Sequence, residues 1–191
     1  MSEKDFLGGR EYSQEEEYFR RKDRELVDKI RKAAEAVELR KQLGERAGLD
    51  DPALVQELQD LGFTPQTVEL LPLMPAIQMA WAEGGVTAQE RATLVSLARA
   101  RGVGEGSPGD VQLHQWLDTR PDDQVFERAM RLINALLERG HGLKLDADDL
   151  VKFSEEVALA SGGILGIIGR ISREEKQLLN SLAEQLKARR R

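Results

Sequence analysis

The sequence predicts an all-α protein in which a long N-terminal helix precedes a multi-helix bundle. Three observations carry that prediction. No stretch of the 191 residues alternates apolar and polar side chains with the period of a half-buried strand. Residues 13 to 43 contain neither Gly nor Pro and are rich in Glu, Lys, Arg, Leu and Ala, all good helix formers. Beyond them, short apolar segments succeed one another, most of them opened by Ser, Thr, Asp or Pro and several closed by Gly.

Taken in order, residues 1–12 with their Gly8-Gly9 pair read as a disordered lead. Residues 13–47 read as one charged amphipathic helix. Ser13 and Glu16 have the spacing of a capping box, in which the hydroxyl accepts from an exposed amide and the carboxylate reaches back. Phe19, Leu26, Ile30, Ala33 and Val37 then trace a narrow apolar seam of the coiled-coil type. So thin a stripe is marginal alone and needs another surface to settle on.

The texture changes near Gly44 to Leu49, which places a helical domain at 48–191. Pro52 opens "PALVQELQDL" and Gly62 closes it. Thr64 and Pro65 open "PQTVELL", while Pro72 and Pro75 interrupt the next segment and leave "AIQMAWAEG" as a buried apolar run. Thr87 starts "TAQERATLVSLARAR", and "GVGEGSPG" reads as a hinge between two halves. "DVQLHQWL" comes next. Pro121 then opens "PDDQVFERAMRLINALLER", with "DADDLVKFSEEVALAS" and "SREEKQLLNSLAEQLKARRR" as the last two helices.

Composition excludes several functions. The chain has no cysteine, so thiol catalysis, disulfide scaffolding and Cys-based zinc sites are ruled out. A net charge of −6 argues against nonspecific nucleic-acid binding, and the terminal "KARRR" reads as a solvated helix end. No apolar run reaches the roughly 18 residues that a membrane helix needs, and the N-terminus lacks a signal-peptide layout, which makes the cytoplasm the expected location. The two histidines, His114 and His141, belong to no triad or metal-binding helix. No strand precedes "GVGEGSPG" and no Lys-Ser/Thr follows it, so it is no phosphate loop. No acid, base and nucleophile come together, and the expectation is a binding or regulatory protein, neither an enzyme nor dependent on a cofactor.

Within the domain, "GVTAQERATLVSLA" and "RISREEKQLLNSLA" superpose at one constant offset, pairing Val86 with Ile171, Thr87 with Ser172, Glu90 with Glu175 and Leu94 with Leu179. Apolar helices run into glycine before each copy, in "MAWAEGG" and "VALASGGILGIIG", so the domain reads as two related halves. This region, about residues 65 to 190, resembles the tellurite-resistance TerB-like helical family. In that family acidic residues of an Ala-Asp-Gly turn are linked with divalent metal binding. Here the turn reads Ala82-Glu83-Gly84, which makes Glu83 the candidate metal ligand. One carboxylate is few for a hard cation, with Glu90 spent on a capping box, so a structural role is the favoured reading of the turn.

The N-terminal segment poses a separate question. Tyr18 and Phe19 are large rings within a run of charge. The stretch "GGREYSQEEEYFRRKDREL" resembles the inhibitory segment of the mitochondrial ATP synthase inhibitor protein, matching at Phe6, Arg10, Glu11, Glu15, Glu16, Tyr18, Phe19 and Arg20, with Leu26 and Ile30 continuing the helix. The resemblance implies insertion into the catalytic head of an F-type ATP synthase and a block on ATP hydrolysis. It implies no histidine-based pH switch, because no His precedes His114. Three destinations for the rings stay open at this point: the chain's own helical domain, a protein partner, or a second copy of the chain joined through the Phe19 to Val37 seam.

Overall fold

The computed structural model describes residues 3–139, 143, 146–161, 177, 180, 181 and 184, with backbone alone for 3–15, 139 and 161. The chain is all-α, a long N-terminal helix followed by a helical bundle. Among the described residues seven α-helices run α1 (Glu3–Ala47), α2 (Pro52–Asp60), α3 (Met74–Ala80), α4 (Ala88–Ala100), α5 (Pro108–Asp118), α6 (Asp123–Arg139) and α7 (Ala147–Ser161), with a 3-10 segment at Val68–Leu73 and no strand. Two compact units divide at Lys41/Gln42.

The first unit is helical from Glu3, ten residues before Ser13, so residues 3–12 are not the irregular lead that the sequence suggested. Gly8 and Gly9 together cost about 2 kcal/mol relative to Ala, a penalty that good helix formers on either side absorb without a break. Ser13 therefore sits inside a helix, and the capping box expected there does not begin it.

The unit boundary also lies earlier than the expected 47/48. Leu43 and Ala47, in the last turns of α1, are fully buried in the core of the second unit. Gly44 explains how. A Cβ there would stand 2.9 Å from the Leu49 carbonyl oxygen and 3.3 Å from the Val55 side chain, so only glycine lets the chain fold back this closely at the start of the bundle. Gly48, at φ +66°, makes the turn.

In the bundle, the Asp51 carboxylate caps α2 by accepting from the Ala53 amide at 2.8 Å. "PQTVELL" forms no α-helix. Thr64 and Thr67 bond one another and a 3-10 segment follows, with Pro72 inside it supplying no amide donor. Ala76, Ile77, Met79 and Ala80 of α3 are buried as their composition predicts, and α3 packs on α6 and α7. Helix α4 also packs on α7, and α5 on α4. Helix α6 starts at Asp123 rather than Pro121, since the Asp122 carboxylate accepts from the Gln124 amide at 2.8 Å and takes the capping position. Asp146 does the same for α7, accepting from the Asp148 amide. Phe126, Ala129, Ile133 and Leu136 give α6 a continuous buried stripe.

The first copy of the sequence repeat forms as read. Val86 leads into α4, the Thr87 hydroxyl accepts from the Glu90 amide, and the Glu90 carboxylate accepts from the Thr87 amide at 2.7 Å. The core of the second copy, with its glycine-rich approach and most of the last predicted helix, lies outside the described residues, as does His141.

Candidate functional site

The described part of α1 from Glu16 to Lys41 is exposed throughout. Of its candidate residues, Tyr18 is 48% exposed, Phe19 62%, Leu26 57% and Ile30 61%. Glu16 and Arg20 are exposed too and pair at 2.7 Å, one turn apart. Phe6, Arg10, Glu11 and Glu15 lie on the helical backbone, and their side chains are outside the described set.

The helix separates the two rings. Neighbouring residues on an α-helix point about 100° apart, so Phe19 shares a stripe with Leu26 and Ile30 while Tyr18 opens onto the next sector. The rings touch edge to face, with centroids 5.9 Å apart and planes at 75°. Tyr18 also has the Arg21 guanidinium 5.7 Å and the Lys22 ammonium 5.8 Å from its centroid, so cations flank the ring. Among the described residues no cation is placed over the Phe19 ring, which heads the apolar stripe. The segment thus offers a partner an apolar ridge, with a hydroxyl-bearing ring and several guanidinium groups beside it. Such groups anchor interfaces but perform no bond-making chemistry.

Sequence reasoning left two exposed apolar side chains out of the seam: Val27, 62% exposed, and Leu39, 40% exposed. Val27 was legible in principle, because it adjoins Leu26 and widens the stripe by one sector.

Glu83 is exposed on the turn after α3, and Gly84 beside it takes φ +88°, which makes the glycine a conformational requirement. Among the described residues no group of three His, Asp or Glu side chains is placed to hold a cation. Glu90, the nearest carboxylate in sequence, is 2% exposed and engaged in its capping box. The residues present at this turn therefore fit a structural role better than a metal site.

The loop read as a hinge is tied down. Asp110, in the first turn of α5, accepts from the Gly106 amide and from Arg99, each at 2.8 Å, and Arg99 also donates to the Val103 carbonyl. The Gly106 amide first, then Arg99 and His114, hold the Asp110 carboxyl below the usual carboxylate range against the opposing effect of burial. His114 lies 3.5 Å from the same carboxylate, which places it beside the Arg99–Asp110 ion pair. The signal that could have revealed this was Ser107-Pro108 followed by Asp110, a helix start in the middle of the apparent hinge. Arg101 has a comparable structural role: it donates to the Leu143 carbonyl at 3.0 Å, and burial lowers its pKa against the pull of Glu69 and Asp149.

No helix among the described residues is long and apolar enough to cross a membrane. In comparisons with known proteins, no protein-family profile, no curated protein and no solved structure matches the chain.

Proposed function

We propose that the chain is a non-enzymatic regulatory protein whose N-terminal helix captures a protein partner, and that the partner is the catalytic head of an F-type ATP synthase. One observation carries the reading: two adjacent aromatic rings, 48% and 62% exposed, stand on a helix whose other exposed residues are mainly charged. Water-exposed rings contribute little to a solvated helix and much to an interface from which water is expelled. The particular partner rests on the resemblance of the segment around "REYSQEEEYFR" to the ATP synthase inhibitor protein.

On this reading Phe19, Leu26 and Ile30 enter an apolar groove as helix-spaced anchors, and Tyr18 reaches a polar edge. Arg20 exchanges its exposed pair with Glu16, worth no more than about 0.5 kcal/mol, for a desolvated contact. The test is direct binding of the intact chain, and of a chain beginning at Gln42, to the purified catalytic head. Micromolar binding confined to the intact chain supports the proposal. Equal binding by the shortened chain, or none by the intact one, rejects it.

A further inference from the structure

The stripe on α1 has an internal order that the partner proposal does not use. With Asp23, Ile30 and Val37 at the a positions of a heptad, Leu26, Ala33 and Arg40 occupy d. All six belong to the exposed part of the helix. The sequence of these layers is self-complementary when reversed. In an antiparallel pair of identical helices each a residue meets a d residue of the other copy. Asp23 then faces Arg40, Leu26 faces Val37, and Ile30 faces Ala33, each layer occurring twice about the two-fold axis. Val27, 62% exposed, meets Ala34 at the flank and widens the apolar strip.

We infer that residues 23–40 form an antiparallel two-stranded interface with a second copy of this chain, about 27 Å long and bracketed at each end by an Asp23–Arg40 ion pair between copies. The charges select this arrangement over its competitors. A parallel pair in register would set Asp23 against Asp23 and Arg40 against Arg40. Sliding the antiparallel pair by one heptad would set Asp23 against Ala33 and leave its carboxylate without a counter-charge in the seam. The flanking Arg20 and Lys41 meet at the solvated ends, where like charges cost little. Only four apolar layers, two of them with alanine, hold the middle, so the dimer dissociates in the micromolar range.

The inference does not rest on the partner proposal, because Tyr18 and Phe19 lie beyond the last paired layer. Leu26 and Ile30 serve both surfaces, so a partner that uses them displaces the second copy.

The test is sedimentation equilibrium of the full chain at neutral pH and low salt, from about 1 to about 300 µM, a range that brackets micromolar dissociation. Four samples are compared with wild type: Asp23→Arg, Arg40→Asp, the double variant, and an equimolar mixture of the two single variants. Wild type should dimerise with concentration. Each single variant places like charges in two layers and should weaken the dimer at least about tenfold. The double variant and the mixture both restore opposite charges and should recover wild-type association within about threefold. A wild type that stays monomeric throughout overturns the inference, as do single variants that associate like wild type. A double variant that fails to recover overturns the antiparallel register, since that recovery is unique to Asp23 facing Arg40.

Discussion

Leu43 and Phe19 lie on the same helix, and replacing each by alanine should have opposite consequences. Leu43 is fully buried in the bundle core, beside a glycine that allows no slack, so Leu43→Ala leaves a cavity that its surroundings cannot readily close. Such truncations cost about 2 to 5 kcal/mol. For a folding unit of this size each kcal/mol moves the thermal midpoint by about 2 to 4 °C, so a mid-range loss of about 3 kcal/mol lowers it by about 6 to 12 °C. Phe19 is 62% exposed, and its truncation forfeits little buried surface, within about 0.5 kcal/mol and about 2 °C. Ile30→Ala, at 61% exposure, should behave like Phe19→Ala. The assay is thermal unfolding by circular dichroism at about 1 µM, low enough to suppress stabilisation by self-association. If Phe19→Ala or Ile30→Ala lowers the midpoint as far as Leu43→Ala, the stripe is part of a folded core and the reasoning that reserves it for partners fails.

Three further outcomes are expected in the bundle. Asp110→Asn should lower the midpoint at neutral pH, and the deficit should shrink in acid. The folded-state pKa of Asp110 is depressed, so its contribution is present above the unfolded carboxyl pKa of about 3.9 and is lost as pH falls through the folded value, which thermal scans from pH 7 down to pH 2 would register. Gly44→Ala should destabilise by about 1 kcal/mol in denaturant titration, because a contact of 2.9 Å with a backbone oxygen costs more than the roughly 1 kcal/mol that alanine gains in helix propensity. Glu83→Ala should leave calorimetric titrations with calcium, magnesium and zinc unchanged from wild type, and a micromolar affinity abolished by that substitution would restore the metal reading of the turn.

The all-α class was legible because it rests on period and composition, which act within a few residues. The Thr87–Glu90 capping box and the burial of Ala76, Ile77, Met79 and Ala80 were legible for the same reason, although the end of that run, Glu83-Gly84, is exposed. The features that escaped needed information from across the chain. Ser13 and Glu16 carry a valid helix-start signal, yet the helix already runs through them from Glu3, across Gly8 and Gly9. The 3-10 geometry of Val68–Leu73 depends on how a proline-bearing segment packs among α4, α5 and α6, which apolar composition cannot specify. The anchoring of the glycine-rich loop escaped because its acceptor, Asp110, lies beyond the glycines and draws Arg99 from the preceding helix. The candidate site was half visible. Exposed rings could be suspected from the charge around them, whereas the division of labour between Tyr18 and Phe19 needed the helical phase and the positions of Arg21 and Lys22.

The most direct test of partner capture is the rate of ATP hydrolysis by a purified F-type ATP synthase as the intact protein is added. Wild type should inhibit at micromolar concentration. Phe19→Ala should raise the half-inhibitory concentration at least about tenfold, as loss of an anchor worth about 2 kcal/mol requires, and Tyr18→Ala should weaken inhibition as well. Lys32→Ala, an exposed charge away from both rings, should shift it by less than about fivefold. Undiminished hydrolysis with wild type, or inhibition by the Tyr18→Ala/Phe19→Ala double variant equal to that of wild type, would contradict the account.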